Sequence, residues 1–182
     1  MRIKYNAPVI LNFTLVCVVV LAIGEPIKDF FIVGSSMNLS NPIDYFRLVS
    51  HIAGHADWNH LIGNFTFILL IGPILEEKHG SQTLLGMILL TGLLTGILNV
   101  IFFPTALLGA SGIVFLLIVL SSISNAKAGE IPLTFILIVG LYIGKEFVAT
   151  ITTTDNVSHF AHITGGVCGG IFGLMLNQKN GK

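Results

Sequence analysis

Three short strings of this chain carry residue types that together could perform acyl transfer. Leu108-Gly109-Ala110-Ser111-Gly112-Ile113 puts a serine at the opening of an apolar run, and Ala161-His162-Ile163-Thr164-Gly165-Gly166 puts a histidine at the opening of another. A serine hydroxyl is a weak nucleophile until a base accepts its proton, and histidine is the base best matched to neutral pH. His60 and Asn64, four residues apart and so on one helix face, could supply side-chain donors to an oxyanion alongside the Ser111 amide. Gly109 and Gly112 remove side chains where backbone would have to approach a substrate. Each residue also has an ordinary reading. Serine in an apolar helix commonly bonds its own backbone or sits at a close helix contact, and asparagine there is interhelical glue. An ionisable group within a membrane segment is nevertheless a functional-site hypothesis by default.

The elements that must position these residues are membrane helices. The chain is 53% hydrophobic and 10% charged, far from the roughly 25% charged residues of a soluble domain. Apolar runs recur at 8–23, 61–75, 84–103, 107–123, 131–149 and 160–176, near the length of about 20 residues needed to cross a bilayer. They are continuous rather than alternating, which argues for an all-α polytopic bundle of six helices, a single membrane domain over residues 1–182, and against a barrel. Arg2 and Lys4 before the first run and Ala22-Ile23-Gly24 after it resemble a signal peptide. The run is as long as the others and Glu25-Pro26 follows it directly, so a retained helix is expected. Counting cations in the short loops puts Arg2, Lys4, Lys78, Lys127, Lys179 and Lys182 on one side and Lys28 and Arg47 on the other. The positive-inside rule then predicts cytoplasmic termini and a long external connection from about Glu25 to Asn59. Cys17 and Cys168 fall inside apolar runs, where a thiol acts as a small apolar side chain. Net charge near zero and the absence of a long charge run give no reason to expect a nucleic-acid partner.

Parity sharpens the picture whichever side is cytoplasmic. The second, fourth and sixth helices enter from one face, and His60 with Asn64, Ser111 and His162 stand near those three entries. At about 1.5 Å rise per residue they are expected at similar shallow depth. Gly165, Gly169 and Gly173 form one small-residue stripe on the sixth run, and Gly166 with Gly170 an adjacent one. A helix packed on the first stripe would bring His162 within reach of Ser111.

On these strings the chain resembles the rhomboid intramembrane serine proteases along nearly its full length. The resemblance includes Phe46-Arg47, where the family usually has Trp-Arg; His51-x3-His55-x4-His60-x3-Asn64; Glu76-x3-Gly80; Gly109-Ala110-Ser111-Gly112; and Ala161-His162 followed by glycines. It implies a nucleophile at Ser111, a general base at His162, and an oxyanion site using His60, Asn64 and Gly109. It also implies structural roles for Arg47, Glu76, Gly165 and Gly169, and a long loop lying partly in the membrane. No cofactor is implied; the partners are transmembrane-segment substrates and the lipid bilayer of a bacterial plasma membrane, with the site opening extracytoplasmically. Phe46 is read as a packing variation.

None of the nine acidic residues lies within the fourth or sixth run, so a Ser–His dyad is expected rather than a triad, with Asp155 a loop or capping residue. Two other classes compete. His51, His55 and His60 resemble a metal cluster in composition, although no His-Glu-x-x-His string is present. A catalytically silent rhomboid-like protein would bind transmembrane partners, but it would be marked by loss of the serine or histidine. The fifth run is the expected lateral gate by resemblance. Gly140 and Gly144 thin its packing surface, and Lys145 and Glu146 are read as its outer end reaching the interface. Ala149 to Ser158, with Thr152, Thr153, Thr154, Asp155 and Asn156, reads as a polar cap or an ordinary external loop.

Overall fold

The computed structural model of the chain describes residues 2–124, 126, 130–152 and 159–180. Thr153, Thr154, Asp155, Asn156 and Ser158 of the expected cap, and the loop cations Lys127 and Lys182, lie outside the described residues. Among the described residues the chain is helical without a β-strand, apart from an isolated antiparallel bridge between Val33 and Leu107. The helices are α1 (Pro8–Ile23), α2 (Glu25–Lys28), α3 (Pro42–Ser50), α4 (Trp58–His79), α5 (Ser81–Phe102), α6 (Ser111–Ile123), α7 (Leu133–Ile138), α8 (Gly144–Thr152) and α9 (His159–Asn180). A π-helical turn, Val139–Ile143, joins α7 to α8 without a break. Trp58–His79, Ser81–Phe102 and His159–Asn177 are long and apolar enough to cross a membrane; α1 and α6 are apolar but shorter. Leu70, Ile74, Leu90, Leu141 and Met175 are exposed, an outward apolar surface suited to lipid rather than water.

Two compact units divide the chain, one up to Ala110 and the other from Ser111. In the first, α1 lies along α4, with Ile10 seated where Gly72 lacks a side chain; a Cβ there would be 2.6 Å from Ile10 Cδ1. The N-terminus of α1 has Pro8 at its first turn and no capping side chain of its own. Glu76 supplies the cap from α4: its carboxylate accepts from Val9 N at 2.9 Å and Ile10 N at 3.0 Å, and from Ser81 Oγ at 2.7 Å. Helix N-termini leave such N–H groups without intrahelical acceptors, and a carboxylate there also complements the helix dipole. Gly80, at φ 83°, ends α4 with its amide on the Glu76 carbonyl at 2.9 Å, so the Glu76-x3-Gly80 string is one corner that ties α1, α4 and α5 together.

The long connection is structured. Asn41 caps α3 by accepting from Ile43 N, and α3 crosses α5 at Gly96, where a Cβ would run into the Leu48 carbonyl. Arg47 donates from Nε to the Asp29 carbonyl at 2.7 Å and pairs with Asp44 at 2.8 Å, joining α3 to the preceding 3-10 turn, Asp29–Phe31. Phe46 is exposed, its ring 6.0 Å edge-on from Phe31.

In the second unit α9 carries two glycine faces. Side chains at Gly165 or Gly169 would strike α6 backbone: the first would meet the Gly112 carbonyl, its Cβ 2.7 Å from Gly112 C, and the second would lie 2.5 Å from Leu116 O. The Gly166–Gly170 face meets side chains rather than backbone, Ile143 and Phe135 together with Val119 of α6. Backbone-to-backbone contact of this kind is how helices associate where no water drives them together.

Candidate active site

Ser111 is the first residue of α6, so its amide belongs to the turn whose N–H groups have no intrahelical acceptor and where the helix dipole favours negative charge. His162 lies in the first turn of α9, one turn before Gly165, and Gly165 abuts Gly112. The closest α6–α9 approach therefore falls beside both residues. Phe115, four residues after Ser111 and so on the same face of α6, stacks on the His162 imidazole with centroids 4.5 Å apart and planes within 8°. The stack fixes the plane of the ring.

A second partner fixes its direction. His162 Nδ1 lies 2.9 Å from Glu146 Oε2, and His159 Nδ1 lies 2.6 Å from the same oxygen. Glu146 is buried and its neighbour Lys145 is exposed. The two residues that the sequence sets together at the outer end of the fifth helix thus face differently: Lys145 is exposed, and Glu146 turns toward α9. Glu146 stands in the fifth run, outside the fourth and sixth runs and apart from Asp155, so the expected Ser–His dyad left it without a part. The signal was present, since an acid within an apolar run is costly unless it has a partner. Phe115 was also missed, although its i, i+4 relation to Ser111 was legible.

In the first unit, two of the residues assigned to the oxyanion, Gly109 and His60, are brought together. A Cβ on Gly109 would lie 2.8 Å from His60 Cε1 and 2.9 Å from Nε2, so the backbone at 109, at φ 125°, passes flat against the imidazole. Only glycine accommodates both that φ and that approach. The Gly109 amide donates to the His51 carbonyl at 2.9 Å, which fixes the backbone at 109 within this unit. Asn64 Nδ2 lies 3.1 Å from His55 Nε2, and His55 Nδ1 lies 3.3 Å from the Ala53 carbonyl. A neutral His55 with its proton on Nδ1 satisfies both contacts and turns the NH2 of Asn64, a two-hydrogen donor, toward itself. The His55 ring also meets His60 edge-on at 5.1 Å. Burial lowers the His55 pKa to about 4 and does the same for His51, so both are neutral at physiological pH. The sequence offered His55 only as one of three candidate metal ligands; its contact with Asn64 was not legible there.

Among the described residues His51, His55 and His60 do not form a group of converging ligand atoms, so the geometry does not favour the metal reading of these three. Among the described residues, the group whose ligand atoms lie within 4.8 Å of one another is Glu146, His159 and His162. The two imidazole–carboxylate hydrogen bonds account for that convergence.

Residues 42–179 match the rhomboid domain, a span that takes in α3 through most of α9 and every residue of both clusters. The chain is 35% identical over 143 residues to rhomboid-related protein 1 of Caenorhabditis elegans, covering 72% of this chain and 40% of that protein. It is 30% identical over 171 residues to rhomboid-related protein 2 of Mus musculus, covering 81% and 56%. Against the chloroplastic rhomboid-like protein 11 of Arabidopsis thaliana it is 24% identical over 149 residues, covering 74% and 53%. The chain spans about half the length of these relatives. With apolar helices carrying the match over most of its length, this membrane protein belongs to the rhomboid family.

Proposed function

We propose that the protein is an intramembrane serine endopeptidase that hydrolyses peptide bonds in or near transmembrane segments of other membrane proteins. The observation that carries this reading is the placement of Ser111 and His162 beside one glycine-mediated helix contact, with Phe115 stacked on the imidazole. In the proposed reaction Ser111 Oγ attacks the scissile carbonyl while His162 Nε2 takes the hydroxyl proton, and the same nitrogen then protonates the leaving amine. Water attacks the acyl-enzyme with His162 again as base, and the serine is regenerated. The Ser111 amide is one donor to the oxyanion; the sequence pattern of the family assigns His60 and Asn64 as the others, with Gly109 admitting them. A substrate helix must unwind locally, because a regular helix hides its carbonyls in internal hydrogen bonds, so helix-breaking or small residues are expected near the cut. On the cation count of the loops, the site opens to the extracytoplasmic side and both termini are cytoplasmic. Neither the attack nor the deacylation requires a cofactor.

The test is proteolysis in liposomes. Purified protein is incubated with a panel of transmembrane-segment reporters, and any cut is mapped by mass spectrometry. A cut that the Ser111→Ala protein does not make supports the reading; no cut in any reporter, together with no labelling of Ser111 by a fluorophosphonate, overturns it.

A further inference from the structure

We propose that Glu146 is a positioning residue that converts the Ser111–His162 pair into a three-membered relay, with His159 holding its carboxylate in place. This deepens the protease reading and rests on it for its kinetic consequence. A neutral imidazole must carry its proton on Nδ1 if Nε2 is to accept one from a serine, and the tautomer is set by whatever Nδ1 faces. Here Nδ1 of His162 faces Glu146 Oε2 at 2.9 Å. A carboxylate can only accept when ionised, so this contact selects the Nδ1–H tautomer. It also places a negative charge beside the imidazolium that forms as Ser111 attacks.

Two features show that the carboxylate is held there rather than resting by chance. His159 Nδ1 donates to the same oxygen at 2.6 Å, from one turn earlier on α9, and the side chains of Glu146, His159 and His162 are 10%, 14% and 12% exposed. The π-helical turn Val139–Ile143 immediately precedes α8. Its wider winding takes one more residue than an α-turn, which rotates everything after it by about 100° relative to an uninterrupted helix. That phase shift brings Glu146 onto the α9 side and leaves Lys145 exposed.

The experiment combines kinetics with ¹⁵N-histidine NMR of the protein in detergent micelles, with the His162 resonances identified by their loss in His162→Ala. In the wild type His162 is expected as the Nδ1–H tautomer, with a growing Nε2–H population in Glu146→Gln and Glu146→Ala. The Gln variant keeps the side-chain volume and an acceptor oxygen, so it guards against simple unfolding. Its kcat is expected to fall at least about 100-fold with KM within about threefold, the pattern of a lost transition-state interaction. Fluorophosphonate labelling of Ser111 should slow in parallel, and His159→Ala should show a smaller loss. A wild-type His162 in the Nε2–H tautomer overturns the proposal. So does a folded Glu146→Gln protein that keeps wild-type kcat and tautomer while losing only thermal stability, because that is a helix tie. If the wild type cleaves and labels nothing, the protease reading fails, while the tautomer measurement still decides whether Glu146 orients His162.

Discussion

Replacing Gly165 by alanine adds one methyl group at the contact on which the proposed chemistry depends. The new Cβ would fall against the Gly112 carbonyl, 2.7 Å from its carbon and 3.0 Å from Gly112 Cα. The obstacle is α6 backbone, which cannot rotate away as a side chain could. Ordinary contact begins at 3.4 Å, so α9 must retreat by at least about 0.7 Å, and by more to clear the oxygen. Overpacking of this kind costs about 1–3 kcal/mol, and the retreat occurs between the residues proposed to react. A misplacement of about 1 Å in an active site costs on the order of 100-fold in rate. Gly165→Ala is therefore expected to lower kcat by roughly one to two orders of magnitude and to melt several degrees below wild type. Gly170→Ala is the control on the neighbouring face, where the nearest atom to a new Cβ is Phe135 Cζ at 3.8 Å; it should retain both activity and melting temperature. Turnover of a transmembrane reporter and thermal melting in detergent measure the pair. Wild-type turnover by Gly165→Ala would refute the argument that this contact sets the Ser111–His162 geometry.

Ser111→Ala should abolish cleavage with little change in melting temperature, since it removes one oxygen, and a fluorophosphonate adduct mapped to Ser111 in the wild type should be reduced in His162→Ala. Activity should survive exhaustive chelation; loss with phenanthroline and recovery with zinc would instead make a metal ligand set of Glu146, His159 and His162, or of His51, His55 and His60. Asn64→Ala should depress turnover by up to about 10²–10³-fold if Asn64 binds the oxyanion, whereas a role as helix glue costs only about 0.6 kcal/mol of stability and spares kcat. Burial lowers the pKa of His51 and His55 from 6.5 to about 4, so below pH 6.5 the unfolded chain binds protons that the folded chain does not. Stability should be fully present above pH 6.5 and decline as pH falls toward 4, by up to about 1.4 kcal/mol per pH unit for each histidine. A melting temperature that stays flat from pH 6.5 to 5, or one whose fall is unchanged in His55→Gln, would contradict the burial argument.

The apolar runs were legible because helix formation in lipid is a local matter: each segment must satisfy its own backbone and present apolar side chains, and both properties can be read from consecutive residues. Hence α1 spans the residues the composition marks, 8–23. The glycine periodicity of α9 could be read for the same reason, since spacing along one helix is a property of one segment. Which helix each stripe receives was not legible. That Gly165 and Gly169 meet α6 backbone while Gly166 and Gly170 meet the side chains of Ile143, Phe135 and Val119 depends on side chains far away in the sequence. The Glu76-x3-Gly80 string was visible as a pattern, but its purpose, capping α1 some 66 residues away, exists only in the folded chain. Ser111 and His162 could be picked out by type and by their place at helix entries. Glu146 could not be assigned to His162, because its direction is set by the phase of the π-helical turn before α8, and a one-residue change in winding leaves no distinctive mark on composition. His55 likewise meets Asn64 nine residues on, a contact between the segment after the 3-10 turn His51–Ala53 and α4 that spacing alone does not mark. Chemistry-bearing types and helical segments are properties of neighbours along the chain; the partner of a buried polar group is chosen by packing across it.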